Sequence, residues 1–255
     1  MERIDLTPLR YLLLFIFGVI VGIVISSEYN ILLDYRNYSE RINFVENISI
    51  NSVIFPTVAV TSDGRGILEY GTLKLIPGTG KIYIGINPFV EPDTQYSAET
   101  AKEYVCKLLN KDCSKYDFIL DIKSNATLVG GPSAGLTFAI AFYCLLNNKN
   151  VSRDIAATGT IDINGNIGQV GGIFEKALAA AENNKKIFFL PKGQSIIYNY
   201  EKVEKRREIY PGFYLIEIEY IPKKINITEI FLEKYNMKII EVKNFKDLLN
   251  YNICE

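Results

Sequence analysis

The sequence predicts an α+β fold, in which short β-sheets pack against a few helices within one domain. Short stretches rich in β-branched residues alternate apolar and polar positions and end at turns containing Gly or Pro. Segments with apolar residues at helical spacing lie between these stretches. The chain has 255 residues and no internal repeat, and we expect the domain to cover residues 52–255.

The composition excludes several classes of function. Lys and Arg number 28 against 29 Asp and Glu, so the basic excess typical of a nucleic-acid-binding protein is missing. The sequence contains no histidine, which is the commonest zinc ligand and proton-transfer group. We therefore expect no metal, no cofactor and no nucleic-acid partner.

The cysteines form no C-x-x-C pair, so a zinc or redox site is not expected. Cys106 and Cys113 lie seven residues apart across the end of a predicted helix. They would form a disulfide in an oxidising compartment and stay free thiols in a reducing one, and the sequence leaves both open. The full set is Cys106, Cys113, Cys144 and Cys254.

The N-terminal part divides into a short flank (1–10), an apolar segment (11–27) and a polar linker (28–51). The apolar core of the second segment is uncharged, slightly short for a spanning helix and long for a signal-peptide core. No good cleavage site follows it. We predict an uncleaved transmembrane helix that crosses the membrane once, with a cleaved signal peptide as the alternative.

The orientation of this predicted anchor is indicated weakly by charge. Arg3 and Arg10 precede the segment, whereas Arg36 and Arg41 follow it at a greater distance, which favours an inside N-terminus. Five Asn-x-Ser/Thr sequons follow the segment and suit an external domain, although an Asn-rich chain also produces them by chance. We predict that the domain lies outside the cytoplasm. The sequons begin at Asn37, Asn47, Asn125, Asn150 and Asn226.

The first half of the domain predicts mainly strands. A helix with Ser97 as its N-cap interrupts them, because Ala101, Val105 and Leu108 recur at helical spacing. The strands are predicted at residues 53–61, 66–76, 81–86 and 116–122, and the helix at 97–109.

The second half alternates helices and strands. Residues 133–146 are apolar on nearly every face, which predicts a helix buried all round. Asn164-Gly165 is a strong hairpin signal between two strands. The remaining strands are predicted at 155–161, 167–170, 186–190, 214–220 and 238–242, and the remaining helices at 173 onward, 228–235 and 245–249.

Ser133 is a candidate nucleophile in the Gly-Gly-Pro-Ser-Ala-Gly stretch (residues 130–135). The first amides of a helix lack intrahelical acceptors and lie at its positive end, so they can stabilise an oxyanion. Gly130, Gly131 and Pro132 are therefore candidate oxyanion or substrate-binding residues, and the glycines permit close approach of a substrate backbone. The alternative is that Ser133 only caps the helix.

Lys176 is the candidate base, since a serine nucleophile without histidine must use Lys, Asp, Glu or a terminal amine. It lies on the apolar stripe of its helix, where desolvation lowers the pKa of an amine. Gly171-Gly172 would let this helix start pack tightly, and Thr158 is a candidate hydroxyl partner of the lysine. The alternatives are a snorkelling lysine and an ordinary strand threonine. Lys185 and Lys186 follow the stripe and are predicted to be solvated.

A nucleotide site is not predicted. Pro77-Gly-Thr-Gly-Lys81 superficially resembles a P-loop, but the first glycine of G-x-x-x-x-G-K-[ST] is absent and Ile82 replaces the Ser or Thr. The lysine also opens a strand rather than a helix.

These motifs together resemble the proteolytic domain of the Lon protease family. The likeness covers roughly residues 53–250 and is strongest at Gly-Pro-Ser-Ala-Gly, at Ala157-Thr-Gly-Thr-Ile-Asp and at Gln169-Val-Gly-Gly-Ile-Phe-Glu-Lys. The stretches 58–66 and 93–97 look most like a stand-alone archaeal branch of Lon-like serine proteases. The resemblance implies the compact α+β Lon proteolytic domain, in a family that often forms homo-oligomeric rings.

The resemblance also implies a Ser-Lys dyad peptidase with polypeptide substrates. Ser133 would be the nucleophile, Lys176 the general base, and Thr158 a residue that helps to hold the lysine. The amides around Gly131 to Ser133 would stabilise the oxyanion. The function expected is a membrane-anchored, ATP-independent serine endopeptidase that acts on unfolded or exposed segments.

Two features depart from the family pattern. The chain has no Walker motif, so ATP-driven unfolding is not encoded in it. Many members carry an acidic residue where this chain has Gly130. Two other functions stay open: a non-catalytic Lon-fold module that assembles with another protease or presents substrates to it, and a Ser-Lys hydrolase of a non-peptide ester or amide.

Overall fold

The computed structural model describes residues 51–85 and 87–255. Four strands form the first sheet: β1 (Ser52–Val60), β2 (Gly66–Pro77), β3 (Ile82–Ile84) and β5 (Tyr116–Lys123). Their order is β1-β2-β5-β3, and neighbours are antiparallel except that β3 runs parallel to β5. All four predicted strands of this half are confirmed, with ends that differ by up to two residues.

The hairpin between β1 and β2 is closed by a short polar turn. The Asp63 carboxylate accepts hydrogen bonds from the Thr61 hydroxyl and, at 2.7 Å, from Arg65 Nε. Gly64 has a φ of 83°, a conformation that glycine adopts without the steric penalty of a Cβ. The turn therefore fixes the register in which Val60 faces Gly66.

Helix α2 (Gly135–Leu146) packs on β1 and β2, and helix α1 (Pro92–Leu108) packs against α2. The prediction that Ser97 caps the first helix is wrong, because the helix begins at Pro92, whose fixed φ suits a first helical position. Ser97 is buried inside α1. Helix α2 is buried almost all round, as predicted, and it contributes several large side chains to the main core.

A second sheet is formed by three parallel strands, β7 (Ile155–Ala157), β10 (Ile187–Pro191) and β13 (Lys238–Val242), in the order β13-β10-β7. Helix α3 (Ile173–Glu182) lies between β7 and β10 along the chain, and helix α4 (Ile227–Tyr235) lies between β10 and β13. Apolar residues of these helices and strands form a second core cluster. Mixed α and β structure is confirmed.

Short elements complete the domain. Strands β8 (Thr160–Ile161) and β9 (Ile167–Gly168) pair across the predicted Asn164-Gly165 turn. The predicted helix at 245–249 is a 3-10 helix, Phe245–Asn250, with Asn244 in a capping box. Two short strands that the sequence did not indicate, β4 (Phe89–Val90) and β6 (Leu128–Val129), pair in parallel beside the start of α1.

A long ribbon of two antiparallel strands, β11 (Ile196–Tyr210) and β12 (Phe213–Asn226), was only partly predicted. The prediction at 214–220 covers half of β12, and β11 was missed. Seven of the eight residues from Glu201 to Glu208 are charged, with Val203 as the exception, which hides the strand signal.

Two disulfides tie the domain together. Cys106 at the end of α1 bonds Cys113, the pairing that the sequence left open. Cys144 of α2 bonds Cys254 near the C-terminal end, 110 residues away, a pairing that was not anticipated.

The predicted anchor (11–27), its flank and almost all of the linker lie outside the described residues. Within residues 51–85 and 87–255, no helix combines the length and the apolar character that crossing a membrane requires. The same residues contain no cluster of three or more Cys, Asp or Glu that could hold a metal ion.

Candidate active site

Ser133 lies in a 3-10 turn, Pro132–Ala134, between β6 and α2. The sequence predicted it in the first turn of the α-helix, and the structure places it just before that helix. Gly131 opens the turn with a φ of 93°, which a residue with a Cβ rarely adopts. The turn leaves Ser133 partly exposed while the helix behind it is buried.

Helix α1 fastens this turn from the side. The Thr94 hydroxyl donates to the carbonyl of Gly131 at 2.9 Å, and the Ser97 hydroxyl donates to the carbonyl of Pro132 at 3.2 Å. Both side chains are buried. Sequence reasoning missed their role, although a Thr and a Ser three residues apart on the face that also carries Ala98 and Ala101 were a usable signal.

The chain between β7 and β8 holds the turn from behind. The Ser133 carbonyl accepts a hydrogen bond from the Gly159 amide at 2.9 Å and from the Thr158 hydroxyl at 3.2 Å. The Leu136 amide in turn donates to the Gly159 carbonyl at 2.9 Å. The backbone around Ser133 is therefore fixed on two sides, and its side chain is aimed by that backbone.

Lys176 reaches the same place from α3. Its Nζ lies 3.0 Å from Ser133 Oγ and 3.4 Å from Thr158 Oγ1, and only 5% of the residue is exposed. Thr158 is fully buried. The structure thus brings together the three side chains that the sequence singled out, and each distance allows a hydrogen bond.

Burial changes the acid–base behaviour of this lysine. Removal from water disfavours the ammonium form and lowers the pKa of Lys176 from 10.5 to about 8, while the neighbouring Glu175 carboxylate acts weakly in the opposite direction. At pH 7 roughly a tenth of the molecules would then carry a neutral amine. A neutral Nζ can accept the Ser133 hydroxyl proton.

The position of α3 depends on two glycines on different elements. Gly172 caps the helix with a φ of 67°, and a Cβ there would lie 2.5 Å from Val60 Cγ2. On the facing strand, a Cβ at Gly66 would overlap the backbone of Glu175. The prediction that Gly171 also serves tight packing is wrong, because a Cβ at Gly171 would meet only open space.

The three predicted oxyanion or substrate-binding residues, Gly130, Gly131 and Pro132, lie in different surroundings. Pro132 has no amide hydrogen and can only shape the turn. The Glu91 carboxylate packs directly against Gly130, so an anion there would meet a negative charge. The Gly131 amide faces Asp93 Oδ1 at 3.4 Å. The amide of Ser133 itself follows Pro132 in the first turn, where amides lack acceptors within the helix.

Comparison with known proteins gives the family. The model of the Lon protease (S16) C-terminal proteolytic domain matches residues 57–206. The chain belongs to this family. The match includes all three converging side chains and the glycines around them.

Curated relatives of this Lon domain are themselves Lon proteases. The chain is 35% identical to the Lon protease of Mesomycoplasma hyopneumoniae over 142 residues, 52% of this chain and 16% of that protein. It is 32% identical to Lon protease 2 of Borreliella burgdorferi over 169 residues, 65% of this chain and 21% of that protein. It is 30% identical to the Campylobacter jejuni Lon protease over 138 residues, 54% and 14%. The matched part is thus about a seventh to a fifth of each relative's length.

The loop of the Lon domain that resembles a P-loop is occupied by its own carboxylate. Asp117 Oδ1 accepts hydrogen bonds from the backbone amides of Thr79, at 2.7 Å, and Lys81, at 2.9 Å. A Cβ at Gly78 would overlap the same carboxyl group. The amides that a phosphate would need are therefore already bonded, and a second negative charge there would be repelled.

One lysine behaves differently from its prediction. Lys185 was expected to be solvated, but it is buried, and its Nζ donates to the Arg153 carbonyl at 2.7 Å. The chain leaves α3 through Asn184, whose φ of 60° turns Lys185 inward toward Tyr70. Lys186 is exposed, as predicted.

Proposed function

We propose that this domain is a serine endopeptidase that uses a Ser133–Lys176 dyad. One observation carries the proposal: a buried lysine amine, with its pKa lowered to about 8, lies 3.0 Å from the hydroxyl of a serine on a glycine-rich turn. A structural lysine would gain more from an acidic partner than from two hydroxyls, whereas a general base must be neutral near the working pH. Membership in the Lon proteolytic-domain family supports the same reading.

In the acylation half of the reaction, neutral Nζ accepts the Ser133 hydroxyl proton while Oγ attacks the carbonyl carbon of the scissile peptide bond. The resulting ammonium then donates that proton to the nitrogen of the leaving amine as the carbon–nitrogen bond breaks. An acyl-enzyme ester on Ser133 remains. Lys176 is neutral again.

In the deacylation half, water takes the place of the departed amine. Nζ accepts a proton from the water as its oxygen attacks the ester carbon, and the ammonium returns the proton to Ser133 Oγ as the ester bond breaks. The Ser133 amide donates to the negative oxygen in both tetrahedral intermediates.

Thr158 is a positioning residue in this scheme. Its hydroxyl donates to the Ser133 carbonyl, so its oxygen is free to accept one Nζ hydrogen. That bond turns the nitrogen lone pair toward Ser133. Both ends of the dyad are therefore tied to one threonine.

The substrates we propose are unfolded chains and exposed segments, cut without ATP. The sequence contains no Walker motif, and the loop that resembles one has its amides bonded to Asp117. Cleavage of an unfolded protein by the full chain should run at the same rate with and without ATP. A rate that requires ATP and a second protein would contradict this part of the proposal.

We further propose that the domain is held at a membrane by residues 11–27 and faces an oxidising compartment. The two disulfides support this location, because disulfides persist in oxidising compartments and are rare in reducing ones. Protease added to intact cells should degrade the domain. Protection until the cells are lysed would place it on the cytoplasmic side.

The proteolytic test uses the full chain and an unfolded protein substrate. Ser133→Ala and Lys176→Ala should each lower kcat by about a thousandfold or more, because members of a catalytic dyad act as a unit. Ser52→Ala and Lys186→Ala, which change exposed residues of the same types, should retain full activity. Equal turnover by wild type and both dyad variants would remove the peptidase proposal and favour the non-catalytic module.

A further inference from the structure

The ribbon of β11 and β12 has two chemically different faces. Its register is regular from Ile196 opposite Asn226 to Glu208 opposite Tyr214, so residues directly opposite each other share a face. One face, here called the apolar face, carries six large side chains that are between 45% and 62% exposed. They are Tyr198, Tyr200, Tyr214, Ile216, Ile218 and Tyr220.

The other face of the ribbon also carries exposed apolar side chains, Leu215 at 51% and Ile221 at 45%, but its charged residues pair with one another across the strands. Lys223 Nζ lies 3.0 Å from Glu201 Oε1, and Lys205 forms an ion pair with Glu219 across the strands. Cross-strand pairs of this kind are typical of a solvated face. The apolar face presents more large exposed apolar side chains than its reverse, and it is therefore the face better suited to a covered position.

An uncovered apolar face of this size is unfavourable. A two-stranded ribbon alone is only marginally stable in water, and this ribbon joins no other sheet of the described residues. Six half-exposed side chains of this type present roughly 600 Å² of surface. A standard protein interface buries about 800 Å² on each partner, so the face together with its flanking charged stems is large enough for a stable contact.

The charges beside the apolar face alternate along β11. Lys202, Glu204, Arg206 and Glu208 all share this face and read plus, minus, plus, minus. A second copy turned by 180° about an axis between Glu204 and Arg206 presents the same series in reverse. Lys202 then lies opposite Glu208 of the other copy, and Glu204 lies opposite Arg206.

Four of the six apolar residues obey the same two-fold axis. On β12, the residues opposite those four charges are Tyr220, Ile218, Ile216 and Tyr214, a palindromic series. The same half-turn lays Tyr220 over Tyr214 of the second copy and Ile218 over Ile216. The central charges and the four apolar residue types therefore match themselves through one operation, as an isologous contact requires.

We propose that the apolar face is a two-fold interface to a second copy of this chain. The two ribbons pack face to face and antiparallel, at the roughly 10 Å spacing of stacked sheets. Within one copy, the Lys202–Glu204 pair is about half exposed, 48% and 55%, so its side chains are free to turn to the partner. Arg206 already stacks on the Tyr214 ring at 3.6 Å, which holds both near the axis.

The charge pattern favours this occupant over a lipid surface. The four central charges cancel, whereas segments that bind anionic membranes carry an excess of Lys and Arg. Binding to a different protein would not require the charges of β11 to complement themselves after a half-turn, whereas binding to a second copy does.

The test measures the mass of the full chain in a mild detergent and is independent of peptidase activity. Glu204→Lys with Glu208→Lys makes the whole series positive, which should weaken association by about a hundredfold and halve the mass of the particle. Lys202→Glu with Arg206→Glu makes it negative and should do the same. The matched control, Glu217→Lys with Glu219→Lys on the other face of the ribbon, should leave the mass unchanged.

A mixing experiment separates a lost interface from a misfolded ribbon. The positive and negative variants should each have half the wild-type mass and should regain it when combined, because their charges then alternate across the interface. Failure of the mixture to associate would overturn the proposal. A wild-type particle of one chain would also overturn it and assign the face to lipid or to another protein, as would a mass that none of these changes alters.

Discussion

The turn that carries Ser133 and the β11–β12 ribbon are held in place in different ways. Ser133 and Lys176 belong to segments 43 residues apart, and their positions depend on buried hydrogen bonds from two other elements. The ribbon is held almost wholly by its own ladder, and both of its faces are open to solvent. The first region is tied by hydrogen bonds to distant segments, whereas the second exposes six large apolar side chains.

This difference teaches how each region will respond to change. Near Ser133, burial of Lys176 costs folding free energy, because removal from water disfavours the ammonium form. The same removal from water lowers the pKa of the amine, which the proposed general base requires. In the ribbon, replacing a single exposed side chain should change the stability of the monomer little and should weaken the proposed association of two copies more. Five changes, from the largest expected effect to the smallest, test this contrast.

Lys176→Met should abolish peptidase activity and yet raise stability. Below about pH 8 the folded state bears the cost of a buried ammonium, since the pKa of Lys176 is lower in the folded than in the unfolded chain. Removing it should add about 1–3 kcal/mol to the free energy of unfolding at pH 7. Chemical denaturation measures this, and a less stable Met variant would show that Lys176 serves the fold.

Loss of the Cys144–Cys254 disulfide should be the most damaging change to stability. It closes a loop of 110 residues, which predicts a cost of about 4–5 kcal/mol when both are replaced by Ala. The Cys106–Cys113 bridge closes a span of seven and should cost about 2–3 kcal/mol. Denaturation of the two double variants without reductant compares them, and an equal cost would contradict the loop-length argument.

Activity should rise with pH until Lys176 is deprotonated. The neutral amine is the active form, so kcat/KM should increase about tenfold per pH unit below the pKa of about 8 and level off above it. Initial rates with a short peptide from about pH 6 to pH 10 give the profile. A flat profile, or one that falls across this range, would exclude Lys176 as the base.

Thr158→Ala should lower kcat by about tenfold with little change in KM, because the Nζ lone pair loses its orientation but the substrate surface does not change. Thr158→Ser keeps the hydroxyl and should restore most of the rate. The apparent pKa of the pH profile should also shift in the Ala variant, which a purely structural role would not produce. An Ala variant with normal kcat would dismiss the positioning role.

Ile216→Thr with Ile218→Thr should change the stability of a dilute monomer by less than about 0.5 kcal/mol, since both residues are exposed on a strand that Thr suits. At high protein concentration the same variant should fall below wild type, because wild type is then stabilised by association. Unfolding at two concentrations measures this, and a large loss at the lower one would show that the ribbon packs on its own domain.

The elements that the sequence predicted well are those whose local pattern carries the signal. Helix α2 and strand β13 were predicted because apolar residues repeat at the period of their structure. The sequence predicts the start of α1 at Ser97, because Ser is a strong cap signal, whereas the helix begins at Pro92, whose fixed φ suits a first helical position. Strand β11 was missed since charged residues outnumber apolar ones in its centre.

The residue types of the candidate site were predictable from the sequence, but the hydrogen bonds that hold them in place were not. Without histidine, a serine on a glycine turn and a lysine on an apolar stripe were the residues to choose, and their catalytic roles stay predictions. The bonds from Thr94 and Ser97 were not foreseen, because they cross between distant segments. Lys185 was misjudged for the same reason: its burial depends on a turn at Asn184 and on Arg153, neither of which a helical stripe encodes.

By itself, the sequence determined which side chains are available for chemistry and where its apolar periods lie, because side-chain types and local spacing are written in it directly. Only the tertiary structure decided the 3.0 Å approach of Lys176 to Ser133, the lowered pKa of that lysine and the pairing of all four cysteines. It also decided the register that places the charges and tyrosines of the ribbon on one face. Distances and desolvation arise between segments far apart in the chain, so they exist only once the chain has folded.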